Sequence, residues 1–254
     1  MKTVSLSRDL VHAGHLILVN RAYPLHEGFC EKRLLVPVNE RSNEVLLEKR
    51  TATVLQKLLD DVCCGEQIIP VSGFRSQYEQ ARIYQESLFE NGAEFTEKYV
   101  MPPNCSEHQS GFAIDLALNQ PDIDFLRPHF PYTGICATFR SKAVQVGFIE
   151  RYPEGKERIT GIAHEPWHFR YLGAPHSQMM YEMGVTLEEY LLWLKEFPYG
   201  RKPFRYAFDG SEIEIFYLAA GEKEPSFEIE DDLPYTVSGD NVGGFIVTVW
   251  RNGK

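Results

Sequence analysis

From Phe112 to Asn119 the chain alternates. Phe112, Ile114, Leu116 and Leu118 point one way, and Ala113, Asp115, Ala117 and Asn119 the other. That period of two predicts a strand over 111–119. Elsewhere the period is helical. Leu55, Leu58, Leu59 and Val62 recur at i, i+3, i+4 and i+7, which predicts a helix over 43–62 with Gly65 as its stop. Ser76 with Glu79 forms a capping box. It opens a second helix, with Ala81, Tyr84 and Leu88 on one face, that runs to Asn91 and Gly92. Phe139, Ala143 and Val146 predict a third helix over 136–146, stopped by Gly147. Thr186 with Glu189 caps a fourth, whose buried stripe is Leu187, Tyr190, Leu191 and Leu194. Short strands are expected at 68–71, where Pro70 argues for a sheet edge or a strand end, at Phe148–Ile149, and from Trp167 to Leu172. Residues 93–105 read as a polar, proline-containing loop.

After Phe197-Pro198-Tyr199-Gly200 the texture changes. Phe204 to Phe208, then Asp209-Gly210, then Ser211 to Leu218 is a hairpin signal, and Phe245 to Trp250 is a further strand. The pattern therefore predicts an α+β domain over 1–196 and a β-rich C-terminal extension over 197–254.

Composition narrows the function classes. Of 254 residues, 43% are hydrophobic, enough for a sizeable core. Net charge is −10 and no Lys/Arg run stands out, which argues against nucleic-acid binding. No apolar run approaches the ~20 residues of a membrane span. The N-terminus carries no signal-peptide pattern. Five cysteines (Cys30, Cys63, Cys64, Cys105, Cys136) make no disulfide framework. These features lead us to expect a cytoplasmic protein with reduced thiols and no membrane partner.

The chemistry gathers in two islands, residues 106–115 and 165–168. By propensity, Asp115 is out of place in mid-strand, but its alanine neighbours leave room for something to bind it. His108 precedes it by seven residues, and His168 follows Glu165 by three. Two imidazoles and a carboxylate suit a catalytic zinc ion with one position open for water. Glu165 is a spare carboxylate to act as base, for which a purely structural site has no use. His12, His15, His26, His129 and His176 lack such company and read as surface or hydrogen-bonded residues. His164-Glu165-Pro166-Trp167-His168 matches H-E-x-x-H, but that motif needs a helix, and Pro166 inside one would clash with the carbonyl of Ile162. His164 is therefore not expected to be a ligand. Cys105 could ligate zinc, but a thiolate would favour a structural site, and a small loop cysteine is the better reading. Arg75 is either a surface ion pair or a fixed cation for an oxyanion.

Three separated motifs in order, Ser72-Gly73-x-Arg75-Ser76 with Gln80, Ser106-x-His108-x-x-Gly111-x-Ala113-x-Asp115, and Glu165-Pro166-Trp167-His168-Phe169-Arg170-Tyr171, resemble the zinc D,D-peptidases of peptidase family M15. That family sits in a wider group with lysostaphin-type enzymes and the hedgehog signalling domain. The run from Glu90-Asn91-Gly92 through Gln109, and Phe148-Ile149-x-Arg151-Tyr152-Pro153, are similar to the VanXY group. Its members are bifunctional D,D-dipeptidase/D,D-carboxypeptidases of glycopeptide resistance. The resemblance covers residues 15–196. It implies a small antiparallel sheet with flanking helices, and Zn2+ on His108, Asp115 and His168. It further implies Glu165 as general base, Arg75 on the tetrahedral intermediate, and Ser106 and Gln80 near the substrate. The implied substrates are the D-Ala-D-Ala dipeptide and the UDP-linked muramyl pentapeptide that ends in it. Two other readings stand beside this one: a zinc peptidase cutting another peptidoglycan bond, and a non-catalytic zinc-bearing binding domain.

Overall fold

The computed structural model describes residues 1–26, 34–221 and 223–251; Cys30 lies outside them. In chain order the elements of the first half are β1 (Lys2–Ser5), β2 (Leu35–Pro37), β3 (Leu46–Glu48), α1 (Lys49–Asp61), β4 (Ile68–Ser72), α2 (Gln77–Tyr99) and β5 (Ala113–Leu118). There follow α3 (Gly134–Val146), β6 (Phe148–Glu150), α4 (Glu157–Thr160), β7 (His168–Tyr171), α5 (His176–Met183) and α6 (Leu187–Leu194). The last strands are β8 (Phe204–Phe208), β9 (Ser211–Ala219), β10 (Ser226–Ile229), β11 (Tyr235–Gly239) and β12 (Gly244–Arg251).

Two compact units emerge, Val19–Thr186 and a second made of Met1–Leu18 with Leu187–Lys254. This differs from the expected boundary near 197 in two ways. β1 joins the C-terminal strands because it pairs antiparallel with β10. α6 joins them because Trp193 packs edge-on against Phe197 and Phe204, at ring-centroid distances of 4.9 and 4.8 Å.

The first unit is built on an antiparallel sheet of order β4-β5-β7-β6. β4, with Pro70, is indeed an edge. One face of β5 enters the core: Phe112, Ile114 and Leu116 pack with Leu55, Leu58 and Leu59 of α1 and Phe139 and Ala143 of α3. The helix expected over 43–62 is shorter. Leu46 and Leu47 instead pair with β2 as a hairpin strand, and Glu48 caps the helix by accepting from Thr51 N. A local apolar run cannot reveal that pairing. The capping box of α2 is present in both directions. The helix continues past its expected end to Tyr99, with a kink at Gly92 (φ 80°, ψ 170°). Ser87 Oγ and Thr96 Oγ1 lie 2.7 Å apart across the kink, and Thr96 Oγ1 donates to Gly92 O at 3.0 Å. The expected loop 93–105 is therefore helical in its first half.

The second unit holds the four-stranded sheet β11-β12-β9-β8 and the pair β1-β10. The Asp209-Gly210 hairpin forms as expected: both residues have positive φ, 48° and 73°, as a tight two-residue turn requires. No helix among the described residues is long and apolar enough to cross a membrane.

Candidate metal centre and catalytic cleft

Antiparallel pairing brings the first two candidate ligands together. Asp115 on β5 is in register with His168 at the start of β7, so both side chains share one face. His108 arrives from a short 3-10 turn, Glu107–Ser110, that Gly111 ends at φ 72°. A Cβ on Gly111 would lie 3.2 Å from Leu35 Cδ2 and 3.3 Å from Glu48 N, so the close approach and the left-handed backbone both favour glycine. The ligand atoms of His108, Asp115 and His168 lie within 4.8 Å of one another, and all three residues are buried.

Hydrogen bonds fix which nitrogens face the centre. His108 Nδ1 is 2.7 Å from Gly73 O. A carbonyl only accepts, so Nδ1 carries the hydrogen and Nε2 presents its lone pair. Burial, joined by the nearby Arg75, pushes His108 down to about 4, so at neutral pH it is uncharged. Its Nε2 faces Asp115 Oδ2 at 3.1 Å, so a cation bound there would be shared by an imidazole nitrogen and a carboxylate oxygen. The donor set, two imidazoles and one carboxylate, fits zinc with an open position. Asp115 Oδ1 takes a hydrogen from His168 Nδ1 at 2.9 Å. Burial opposes ionisation of Asp115, but the two histidines outweigh it and hold the carboxyl well below its usual range. Burial likewise opposes charge on His168, yet the neighbouring carboxylates of Asp115 and Glu107 raise it to about 9 in the metal-free protein.

Glu165 lies just before the turn at Pro166 and Trp167, outside the strand that begins at His168. The turn is pinned by His168 N donating to Glu165 O (3.2 Å) and by Arg140 Nη2 donating to Pro166 O (2.6 Å). It carries the Glu165 carboxylate to 3.8 Å from His168 Nδ1, which a regular strand would forbid. Burial raises Glu165 to about 8. No helix forms through residues 164–168. His164 instead meets Tyr132 Oη at 2.6 Å and stands outside the candidate ligand group. Cys105 is also outside that group and packs with Met101, Tyr152 and Ile162.

Arg75 is no surface ion pair. Its Nη2 donates to Asp115 Oδ2 (2.9 Å) and its Nε to Ser72 Oγ (2.8 Å), and it lines the cleft with Glu165 and Ser106. Gln80 is buried beside it, and its Nε2 donates to Met101 O at 2.6 Å. Gln80 therefore ties α2 to the cleft wall.

Sequence reasoning gave no role to Glu107. The residue is fully buried, with Oε1 2.8 Å from Arg151 Nε and 2.7 Å from Arg170 Nη1. Burial opposes its ionisation, but Arg170 and Arg151 outweigh that and hold it well below the ordinary carboxylate range. The available signal was Arg170 between Phe169 and Tyr171 in a strand, which needs a buried counter-charge.

The VanY D-alanyl-D-alanine carboxypeptidase family matches residues 44–174, and the chain belongs to that family. It is 41% identical over 177 residues to the bifunctional D-Ala-D-Ala dipeptidase and carboxypeptidase VanXYC of Enterococcus gallinarum, covering 69% of this chain and 92% of that one. The solved D,D-dipeptidase VanXYg, in complex with a D-Ala-D-Ala phosphinate analogue, superposes with a TM-score of 0.95 at 46% identity, over 98% of this chain and 99% of that one. A VanY mutant from a VanB-type resistance cassette, in complex with Zn(II), matches at 29% identity and a TM-score of 0.58, over 70% of this chain and 98% of that one.

Proposed function

We propose that the protein is a zinc-dependent D,D-dipeptidase and D,D-carboxypeptidase that hydrolyses D-Ala-D-Ala and removes the terminal D-Ala of the UDP-linked muramyl pentapeptide. Loss of those termini would deprive glycopeptide antibiotics of their target. The observation that carries the reading is the convergence of His108, Asp115 and His168 on one point, with the buried Glu165 carboxylate beside it. The likeness to VanXYC and VanXYg supports the substrate class. We place the activity in the cytoplasm, where free dipeptide and soluble precursor occur; cell fractionation tests that, and stable recovery in membranes would count against it.

His108 through Nε2, His168 through Nδ1 and Asp115 through a carboxylate oxygen would hold the metal. Zinc, when bound, supplies Lewis acidity and brings the pKa of water toward about 7. Glu165 accepts the proton of the attacking water and returns it to the leaving amine; a carboxyl raised to about 8 is suited to do both near neutral pH. Arg75 offers guanidinium N–H groups to the oxyanion that develops on the scissile carbonyl. Ser106 lines the cleft within reach of substrate, while Gln80 acts on it by holding Met101 and Arg75 in place.

The test is Glu165→Ala, assayed with dipeptide and with pentapeptide for released D-Ala. The variant should bind zinc like the parent and lose nearly all turnover on both substrates. Near-normal turnover would remove Glu165 as the base, and a parent that releases D-Ala from neither substrate would sink the assignment.

A further inference from the structure

Arg151 Nε and Arg170 Nη1 both approach the same oxygen of Glu107, Oε1, at 2.8 and 2.7 Å. A guanidinium fork can match both oxygens of a carboxylate edge. Here Oε2 is buried with no hydrogen-bond partner. His168 Nε2 is also buried without one, and the two atoms face each other at 3.6 Å. Buried polar atoms pair wherever a partner exists. With Nδ1 given to a metal, the hydrogen of the neutral ring sits on Nε2, and a shift of a few tenths of an ångström brings it to hydrogen-bond distance of Oε2. The ring has little other freedom, since Tyr152 and His108 both lie against it at centroid distances of 4.9 Å.

We propose that Glu107 is a positioning residue: clamped by Arg151 and Arg170, it accepts the Nε2–H of His168 and so commits Nδ1 of that ring to the metal. The inference rests on the zinc reading given above. It assigns the buried Arg151–Glu107–Arg170 cluster a task in metal affinity, apart from any part in folding.

The experiment measures zinc affinity by competition with a chromophoric chelator, alongside the ring N–H resonance of His168 in the zinc-loaded protein, assigned by its loss in His168→Ala. Glu107→Gln, folded by circular dichroism, should bind zinc about 10–100-fold more weakly than the parent and shift or lose that resonance. Arg151→Lys, which keeps the charge but loosens the clamp, should weaken zinc about 5-fold or more, and it decides the matter if Glu107→Gln does not fold. Zinc affinity within twofold of the parent in the deciding variant, with the resonance in place, overturns the proposal. If His168→Ala itself leaves zinc affinity unchanged, the zinc reading fails first and takes this inference with it. If His168→Ala abolishes tight binding while the Glu107 and Arg151 variants do not weaken it, this inference alone fails.

Discussion

A carboxyl proposed to exchange a proton with water near neutral pH must be kept from ionising too early, and burial of Glu165 does this at a cost in stability. In the unfolded chain a glutamate ionises near pH 4.3, whereas Glu165 in the fold is raised to about 8. Between those values the unfolded state gives up a proton that the native state keeps. Native stability therefore falls as pH rises through that window and levels off above it. Glu165→Gln removes the dependence. In chelator-treated protein its melting temperature should match the parent's near pH 4 and exceed it by several degrees at pH 8, on the order of a few kcal/mol. A difference that stays flat with pH, or a less stable variant at pH 8, would contradict the assignment. At this scale the sequence was informative. Asp115 between two alanines, with His108 and His168 each in company, marks the cluster in the sequence itself. Glu107 was not legible, because its meaning depends on Arg151 and Arg170, each more than 40 residues away.

Elements were legible where local chemistry determines them. The Ser76–Glu79 cap, the alternation of β5 and the Asp209-Gly210 turn are written in a few adjacent residues. Elements defined by distant partners were not. β3 merged into the predicted α1 because its apolar residues blend with the helical period, and β10 exists only because β1 pairs with it. The kink in α2 is an intermediate case. Gly92 was visible as a stop, yet the chain resumes as helix and delivers Tyr99, Val100 and Met101 to the cleft. A Cβ on Gly92 would meet nothing within 4 Å, so Gly92→Ala costs only backbone strain, about 1–3 kcal/mol. That strain acts on the segment 93–105. If the segment gates entry, Gly92→Ala should change the ratio of pentapeptide to dipeptide hydrolysis, read as released D-Ala from each. A lower melting temperature with an unchanged ratio would remove the gating role.

At the scale of the molecule, the chain begins and ends in the same unit. A boundary placed by texture near 197 follows the change from mixed to β-rich sequence, but texture does not reveal that the first residues belong with the last. Val4 pairs with Phe227, and Leu6 and Val11 join Phe227, Ile229 and Phe245 in one apolar cluster. The pair β1-β10 is a two-stranded sheet, so β10 has β1 as its one strand partner among the described residues. β12, in contrast, lies between β11 and β9. This asymmetry makes β10 depend on the N-terminus in a way β12 does not. Deleting residues 1–6 strips β10 of its ladder and uncovers Phe227. By hydrogen exchange, the β10 amides should lose protection first and most, by about tenfold or more, while those of β12 retain a larger share of theirs. Equal protection of β10 with and without residues 1–6 would mean that β1 is an appendage to the C-terminal unit and does not help hold it together.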